Sequence, residues 1–203
     1  MIPVNPSKIV CVGRNYLAHA QELGNTVPPQ PMIFLKPPSA LLGPGDPIIL
    51  PAQSQQVEYE GEIGVVVLER LRDVSTAAAG RARLGYVCVN DVTARDLQKT
   101  DGQWGRAKGF DTFCPVGPAI VEGLDWRDLE VMTRVNGTVR QRGKTAEMAY
   151  SIPAIISFIS SVMTLEPGDL IATGTPAGVG PLASGDVVEV EVAGVGVLRN
   201  PVA

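Results

Sequence analysis

Val57-Glu58-Tyr59-Glu60-Gly61-Glu62-Ile63-Gly64-Val65-Val66-Val67-Leu68 governs how the rest of the chain is read. Its second half is an apolar strand. Residues two apart on a strand share a face, so Glu58, Glu60 and Glu62 line up on one side, beside a core-forming run. Carboxylates packed this closely repel, and burial makes the repulsion worse. Either their pKa values rise or a cation sits among them. A cation needs a further oxygen ligand from elsewhere, and Asp91, at the end of the apolar run Tyr86-Val87-Cys88-Val89, is the candidate. Ligation by oxygen alone selects Mg²⁺, Mn²⁺ or Ca²⁺ over Zn²⁺. The same spacing also fits an exposed edge strand whose acidic face meets water, as is expected of Glu189 and Glu191.

Outward from this strand, turn residues punctuate short apolar runs. Glycine (22) and proline (17) are both plentiful, which favours a strand-rich fold. Gly45-Asp46, Gly168-Asp169 and Gly185-Asp186 each precede an apolar run and read as turns feeding strands. Val188 to Val192 alternates as a half-buried strand should. Asn136-Gly137 between Val131–Val135 and Thr138–Arg140 predicts a hairpin. Helices are fewer. Asn15 is placed to cap a short one ending at Leu23-Gly24, and Ser151 to Met163 carries the buried stripe Ile155, Ile156, Ile159, Val162 and Met163. Ala77 to Arg83 is a third candidate. The proline-rich stretch from Val27 to Pro38 reads as an ordered loop or a mobile flap. The expected class is α+β, mostly β, in one domain.

Composition excludes several functions. The net charge is −4 with short single-sign runs, so no nucleic-acid surface is expected. No apolar run approaches a membrane span, and Met1-Ile2-Pro3-Val4-Asn5 lacks a signal-peptide pattern. Cys11, Cys88 and Cys114 lie far apart and are expected to be buried free thiols in a reducing cytoplasm. Gly143-Lys144-Thr145 is not a P-loop, because Thr138 stands where the first glycine is required. No Gly-x-Gly-x-x-Gly opens a helix after a strand, so a dinucleotide site is not expected.

Four further segments narrow the reading. Asn90-Asp91-Val92-Thr93-Ala94-Arg95-Asp96-Leu97-Gln98 resembles the Asn-Asp-x-(Ser/Thr)-Ala-Arg-Asp-x-Gln signature of the fumarylacetoacetate hydrolase family. Lys108-Gly109-Phe110-Asp111-Thr112-Phe113 is similar to its Lys-x-Phe-Asp-x-Phe segment, and Thr173 to Gly180 to its Thr-Gly-Thr-Pro-x-Gly-Val-Gly loop. Tyr59-Glu60-Gly61-Glu62 falls where the family places its Glu-x-Glu metal pair. The motifs occur in the family's order and, with Phe34-Leu35-Lys36-Pro37, cover nearly the whole chain. The resemblance implies a mixed β-roll and a homodimer. It also implies a Mg²⁺ or Mn²⁺ site on Glu60, Glu62 and Asp91, with Glu58 supporting or structural. It points to the short branch: residues 1–203 as one catalytic domain, about 1–50 carrying a lid helix and about 51–203 the metal-binding β core. That branch includes acylpyruvate hydrolases, oxaloacetate decarboxylases, and isomerases or decarboxylases of aromatic degradation.

The remaining candidates are catalytic and substrate-binding. His19 is the one histidine, and Glu22 shares its helix face three residues on. A carboxylate beside imidazole fixes its tautomer and raises its basicity. The pair resembles the family's Asn-Tyr-x-x-His-x-x-Glu, its water-activating dyad. Arg95, Gln98 and Lys108 are expected to serve oxyanions. The alternatives are an ion pair with Asp96 or another acid on the same segment for Arg95, and a solvated charge for Lys108. The loop holding Gly174 and Thr175 offers backbone N–H groups and a hydroxyl to a substrate carboxylate. Arg14 and Tyr16 complete the substrate-binding candidates. The expected substrate is a small 2-oxo acid, cleaved by hydrolysis or decarboxylation through a metal-stabilised enolate. The rival expectation is isomerisation of an unsaturated 2-hydroxy or 2-oxo diacid. A third is a metal-bound carboxylate binder without catalysis.

Overall fold

In the computed structural model, which describes residues 4–203, the run after Glu62 becomes a strand buried on both faces. Residues 1–3, part of the N-terminal stretch read above for a signal peptide, lie outside the described residues. The chain opens with β1 (Ile9–Gly13), α1 (Leu17–Glu22), β2 (Met32–Lys36) and β3 (Leu41–Leu42). Then come β4 (Val57–Tyr59), β5 (Gly61–Val67), α2 (Thr76–Ala79), β6 (Leu84–Asn90), β7 (Thr93–Ala94), α3 (Arg95–Asp101) and α4 (Gly105–Lys108). The last part holds β8 (Cys114–Glu122), β9 (Glu130–Val135), β10 (Thr138–Lys144), α5 (Ile152–Val162), β11 (Leu170–Ala172), β12 (Gly180–Pro181), β13 (Val187–Val192) and β14 (Gly196–Pro201).

Seven strands form a curled mixed sheet in the order β2-β1-β11-β5-β6-β8-β3, parallel at β1/β11 and β3/β8. An antiparallel sheet, β10-β9-β13-β14, packs against one face, and β12-β4-β7 forms a smaller third sheet. The fold is α+β and mostly β, the curled sheet of the expected roll. Alternation along the large sheet divides two cores. Ile63, Val65, Val67, Tyr86 and Cys88 face α5 and the antiparallel sheet. Val66, Val87 and Val89 face the inside of the curl with Ile9, Cys11, Cys114 and Ala172. Both faces are therefore apolar, which is why Val65-Val66-Val67 shows no polar alternation.

Local predictions fare unevenly. The Asn136-Gly137 turn forms, with φ of 51° and 77°, and Val188, Val190 and Val192 point inward. Glu189 and Glu191 meet water beside Arg199 and Arg134. Gly168-Asp169 and Gly185-Asp186 lead into β11 and β13, but the run after Gly45-Asp46 contributes only the single bridge of Ile48 to Val202. α5 matches its expected span closely, whereas α2 is shorter and earlier than Ala77 to Arg83. The Val27-to-Pro38 stretch is only partly a loop, since Met32–Lys36 pairs along β1. Asn15 does not cap α1. Its side-chain amide donates to the carbonyls of Tyr150 (3.2 Å) and Thr173 (2.8 Å), and its oxygen accepts from the Tyr150 N–H (2.8 Å). The three cysteines are free and buried, and burial pushes the thiol pKa of Cys88 and Cys114 up to about 12. No helix among the described residues is long and apolar enough to cross a membrane.

Candidate metal centre and its cavity

Strand register brings the three expected ligands together. β5 and β6 run antiparallel with Gly61 opposite Asn90. The residues just beyond that pair, Glu60 and Asp91, therefore meet at the end of the sheet, where the Asp91 N–H donates to the Glu60 carbonyl at 2.8 Å. The Asn90 side-chain oxygen accepts from the Glu60 N–H at 3.0 Å and holds the crossing from β4 into β5. Gly61 is required there, since a Cβ would lie 1.9 Å from Thr133 Oγ1. Among the described residues, Glu60, Glu62 and Asp91 offer carboxylate oxygens within 4.8 Å of one another, and all three are buried. Glu58 is excluded from this group because it sits on β4, below the crossing, and turns to Arg95.

Buried cations brace the acids. Lys108 Nζ donates to Glu60 at 2.9 Å and to Asp91 at 2.7 Å, so it is not a solvated charge. Lys36 Nζ donates to Asp91 at 2.5 Å and to the Val92 carbonyl at 3.1 Å. Arg95 donates to Glu58 at 2.7 Å, to Glu60 at 2.6 Å and to the side-chain oxygen of Gln98 at 2.6 Å. Asp96, the alternative partner considered for Arg95, bonds Ser54 and the Gln55 N–H instead. Four acids thus face three cations, and the uncompensated acid is Glu62, whose bond is to the Gly174 N–H at 2.7 Å. Burial pushes the Glu62 pKa well up, and Asp91 and Glu60 add to it. Burial acts the same way on Glu60, but Lys108 and Arg95 outweigh it and hold that carboxyl below the usual range. Burial opposes the charge on Lys108, yet Asp91 and Glu60 leave its pKa raised. A buried carboxylate without a counter-cation is expensive. The residues therefore fit a divalent ion on two grounds: an all-oxygen donor set, and one unneutralised acid aimed at the shared point.

A cavity of about 270 Å³ opens on these acids. Arg95, Gln98, Lys108 and Thr175 line it, as do His19 and Arg14. His19 is buried on α1, its Nδ1 3.2 Å from Glu22. No hydrogen bond among the described residues engages Nε2, and the residue lines the cavity. Glu22 stands behind the ring and accepts from the Gly178 N–H at 3.0 and 3.2 Å. Two expectations need correction. Tyr16 does not border this cavity; it lines a separate depression with Leu17 and Pro176, and its buried hydroxyl has no partner among the described residues. The loop groups proposed for a substrate carboxylate are already engaged. Gly174 N–H holds Glu62, while the Thr175 hydroxyl donates to the Gly61 carbonyl (2.9 Å) and accepts from Gln141 (2.7 Å).

Sequence reasoning missed Lys36, Gln141, Lys99 and the aromatic wall. Lys36 carried two signals, its place in Phe34-Leu35-Lys36-Pro37 and a lone charge closing an otherwise apolar strand. Gln141 carried none, since its bonds to Gly61 N–H (2.9 Å) and Thr175 span 80 and 34 residues. Phe34 and Trp104, edge to face at 5.1 Å, wall the cavity that Lys99 also lines.

A buried acidic centre lies at the strand ends of β5 and β6 and opens on a cavity that His19 lines, and the relatives of the chain mark it as an enzyme. Residues 8–203 match the family described as fumarylacetoacetate (FAA) hydrolase C-terminal, and the chain belongs to the fumarylacetoacetate hydrolase family. It is similar to a 5-carboxymethyl-2-hydroxymuconate delta-isomerase from Mycobacterium smegmatis, with TM-score 0.93 and 51 % identity over 100 % of this chain and 80 % of that one. It is 42 % identical to a mitochondrial oxaloacetate decarboxylase from Dictyostelium discoideum over 92 % of this chain and 89 % of the relative. It also resembles a fumarylpyruvate hydrolase from Pseudomonas aeruginosa, solved with Mn²⁺ and pyruvate, with TM-score 0.92 and 30 % identity over 98 % and 91 % of the two chains.

Proposed function

We propose that this enzyme uses Mg²⁺ or Mn²⁺ at Glu60, Glu62 and Asp91 to cleave a carbon–carbon bond in a small 2-oxo acid, by hydrolysis or decarboxylation. Ca²⁺ suits the same oxygens. The observation carrying this reading is Glu62, buried at 1 % exposure with no cation among its hydrogen-bond partners. When bound, the ion would supply positive charge to polarise substrate oxygens. The chain's own residues do the rest. Gln98 and Arg95 border the cavity and orient the acid by hydrogen bonds. In hydrolysis, water oxygen adds to the distal carbonyl carbon, and the bond to the next carbon breaks with its electron pair leaving on the 2-oxo acid fragment. His19 Nε2 takes a proton from the water and returns one to the departing carbon, while Glu22 holds Nδ1–H. Phe34 and Trp104 keep bulk water from the reacting atoms.

A second reading has its own support. Arg14 and Lys99 line the cavity, and neither side chain pairs with an acid among the described residues. They suit the far carboxylate of a diacid, the substrate type of an isomerase that shifts a proton between carbons. A panel of acylpyruvates, oxaloacetate and unsaturated 2-hydroxy diacids, assayed with Mg²⁺ and with Mn²⁺, separates the readings. Alongside it, Glu62→Ala should abolish turnover and Mg²⁺ binding by calorimetry while leaving the fold intact. Unchanged Mg²⁺ affinity in that variant would sink the ligand assignment.

A further inference from the structure

Gly178 joins the strand that serves the acidic centre to the helix that carries His19. Its N–H donates to both carboxylate oxygens of Glu22, at 3.0 and 3.2 Å. Its carbonyl accepts from the Tyr59 hydroxyl at 2.9 Å. Tyr59 is buried on β4, immediately before Glu60, and is in register with Gly180 of β12. Gly178 has φ +103°, and a Cβ there would lie 2.0 Å from the Arg140 carbonyl oxygen. Glycine is therefore obligatory, and glycine alone does not fix the direction of its peptides. Something must aim that N–H, and the group that bonds the other side of the residue is the Tyr59 hydroxyl. Among the described residues, Glu22 to Gly178 is also the one side-chain hydrogen bond between α1 and the rest of the chain. α1 is six residues long and has no side-chain cap, so it has little intrinsic stability.

We propose that Tyr59 is a positioning residue. Its hydroxyl orients Gly178 so that the Gly178 N–H latches Glu22, which holds α1 closed and keeps His19 over the cavity. The segment that presents Glu60 to an ion thereby also sets the helix above it. The kinetic consequence rests on the catalytic role proposed for His19; the latch itself does not.

The test is hydrogen–deuterium exchange on the full chain, comparing wild type with Tyr59→Phe, Glu22→Ala and the double variant. Ala20 and Leu23 report on α1, because their N–H groups bond the Tyr16 and His19 carbonyls. β6 serves as the internal reference. In Tyr59→Phe, exchange at Ala20 and Leu23 should rise about fivefold, the scale of one net hydrogen bond, with β6 and Mg²⁺ affinity unchanged. Glu22→Ala should open α1 at least as far, and the double variant no further than Glu22→Ala, because both substitutions break one chain of contacts. Unchanged α1 exchange in Tyr59→Phe would overturn the proposal. So would an equal loss of protection in β6, or additive effects in the double variant. A latch that loosens with no change in turnover would support the positioning role and count against His19 as the base.

Discussion

The acidic centre and the α1 segment face each other across one cavity and are built in opposite ways. The centre rests on β5 and β6, paired over seven residues, and its acids and lysines are almost wholly buried. Moving one of those charges means breaking a strand ladder in a close-packed core. α1 has six residues, exposes Leu17 at 56 %, and is tied by Glu22 to a glycine peptide. Under the proposed latch it is the part that few contacts hold in place. The contrast suits the proposed chemistry, which needs charges at fixed spacing and a cover that admits substrate and then excludes water.

The largest expected effect strikes the rigid half. Lys36→Met leaves Asp91 with Lys108 as its remaining cation, in a centre where four acids share three cations. Breaking one side of a buried ion pair typically costs about 3–5 kcal/mol. Denaturant unfolding without metal should show a loss of that order. Added Mg²⁺ should recover part of it by binding the folded state. A loss under ~1 kcal/mol in metal-free buffer would mean that the centre is less rigidly charged than the comparison holds.

How much of this could be read from the chain divides along the same line. The two-residue period of a strand groups Glu60 and Glu62 but takes in Glu58 as well; the resemblance to the family is what selects Glu60, Glu62 and Asp91, and the crossing at Glu60 is what turns Glu58 away. Lys36 lies within the matching segment Phe34-Leu35-Lys36-Pro37 but was given no role. A lysine ending a strand is ordinarily solvated, and only the curl of the sheet brings it 55 residues along the chain to Asp91. Asn15 misled for the related reason that a local rule made it a cap, while its real partners lie 135 and 158 residues away. At the cavity, helical spacing puts His19 and Glu22 on one face and the resemblance pairs them, but their tie to Gly178 was not legible, since it crosses 156 residues. Tyr16 was carried in by its neighbours in a motif, and its side chain turns elsewhere.

The α1 half should show the reverse signature, a kinetic effect with little effect on stability. The His19 side chain is at the cavity wall and, among the described residues, bonds Glu22 alone. His19→Ala should slow hydrolysis of an acylpyruvate about 10²-fold or more, the usual scale for a lost general base. Release of CO₂ from oxaloacetate, which needs no attacking water, should fall less. Equal losses in the two assays would assign His19 to closure of the site rather than to water activation. No loss in either would leave the lid without a chemical role.

Glu22→Gln is the smallest change and separates the two duties of that carboxylate. Glu22 receives the Gly178 N–H on both oxygens and faces His19 Nδ1 with one of them. Glutamine keeps one oxygen. If that oxygen stays on Gly178, the amide NH₂ is turned toward Nδ1, which must then accept a hydrogen bond. The imidazole proton moves to Nε2, and the nitrogen facing the cavity is no longer a base. The latch survives while the tautomer is wrong, so α1 exchange should stay near wild type. Hydrolysis should drop by at most the loss seen in His19→Ala, since removing the base altogether sets the ceiling. Decarboxylation should hardly change. Should α1 exchange rise in Glu22→Gln as it does in Glu22→Ala, charge rather than hydrogen bonding holds the lid. If hydrolysis is unaffected while the lid stays closed, Glu22 anchors the helix and does not set the tautomer of His19.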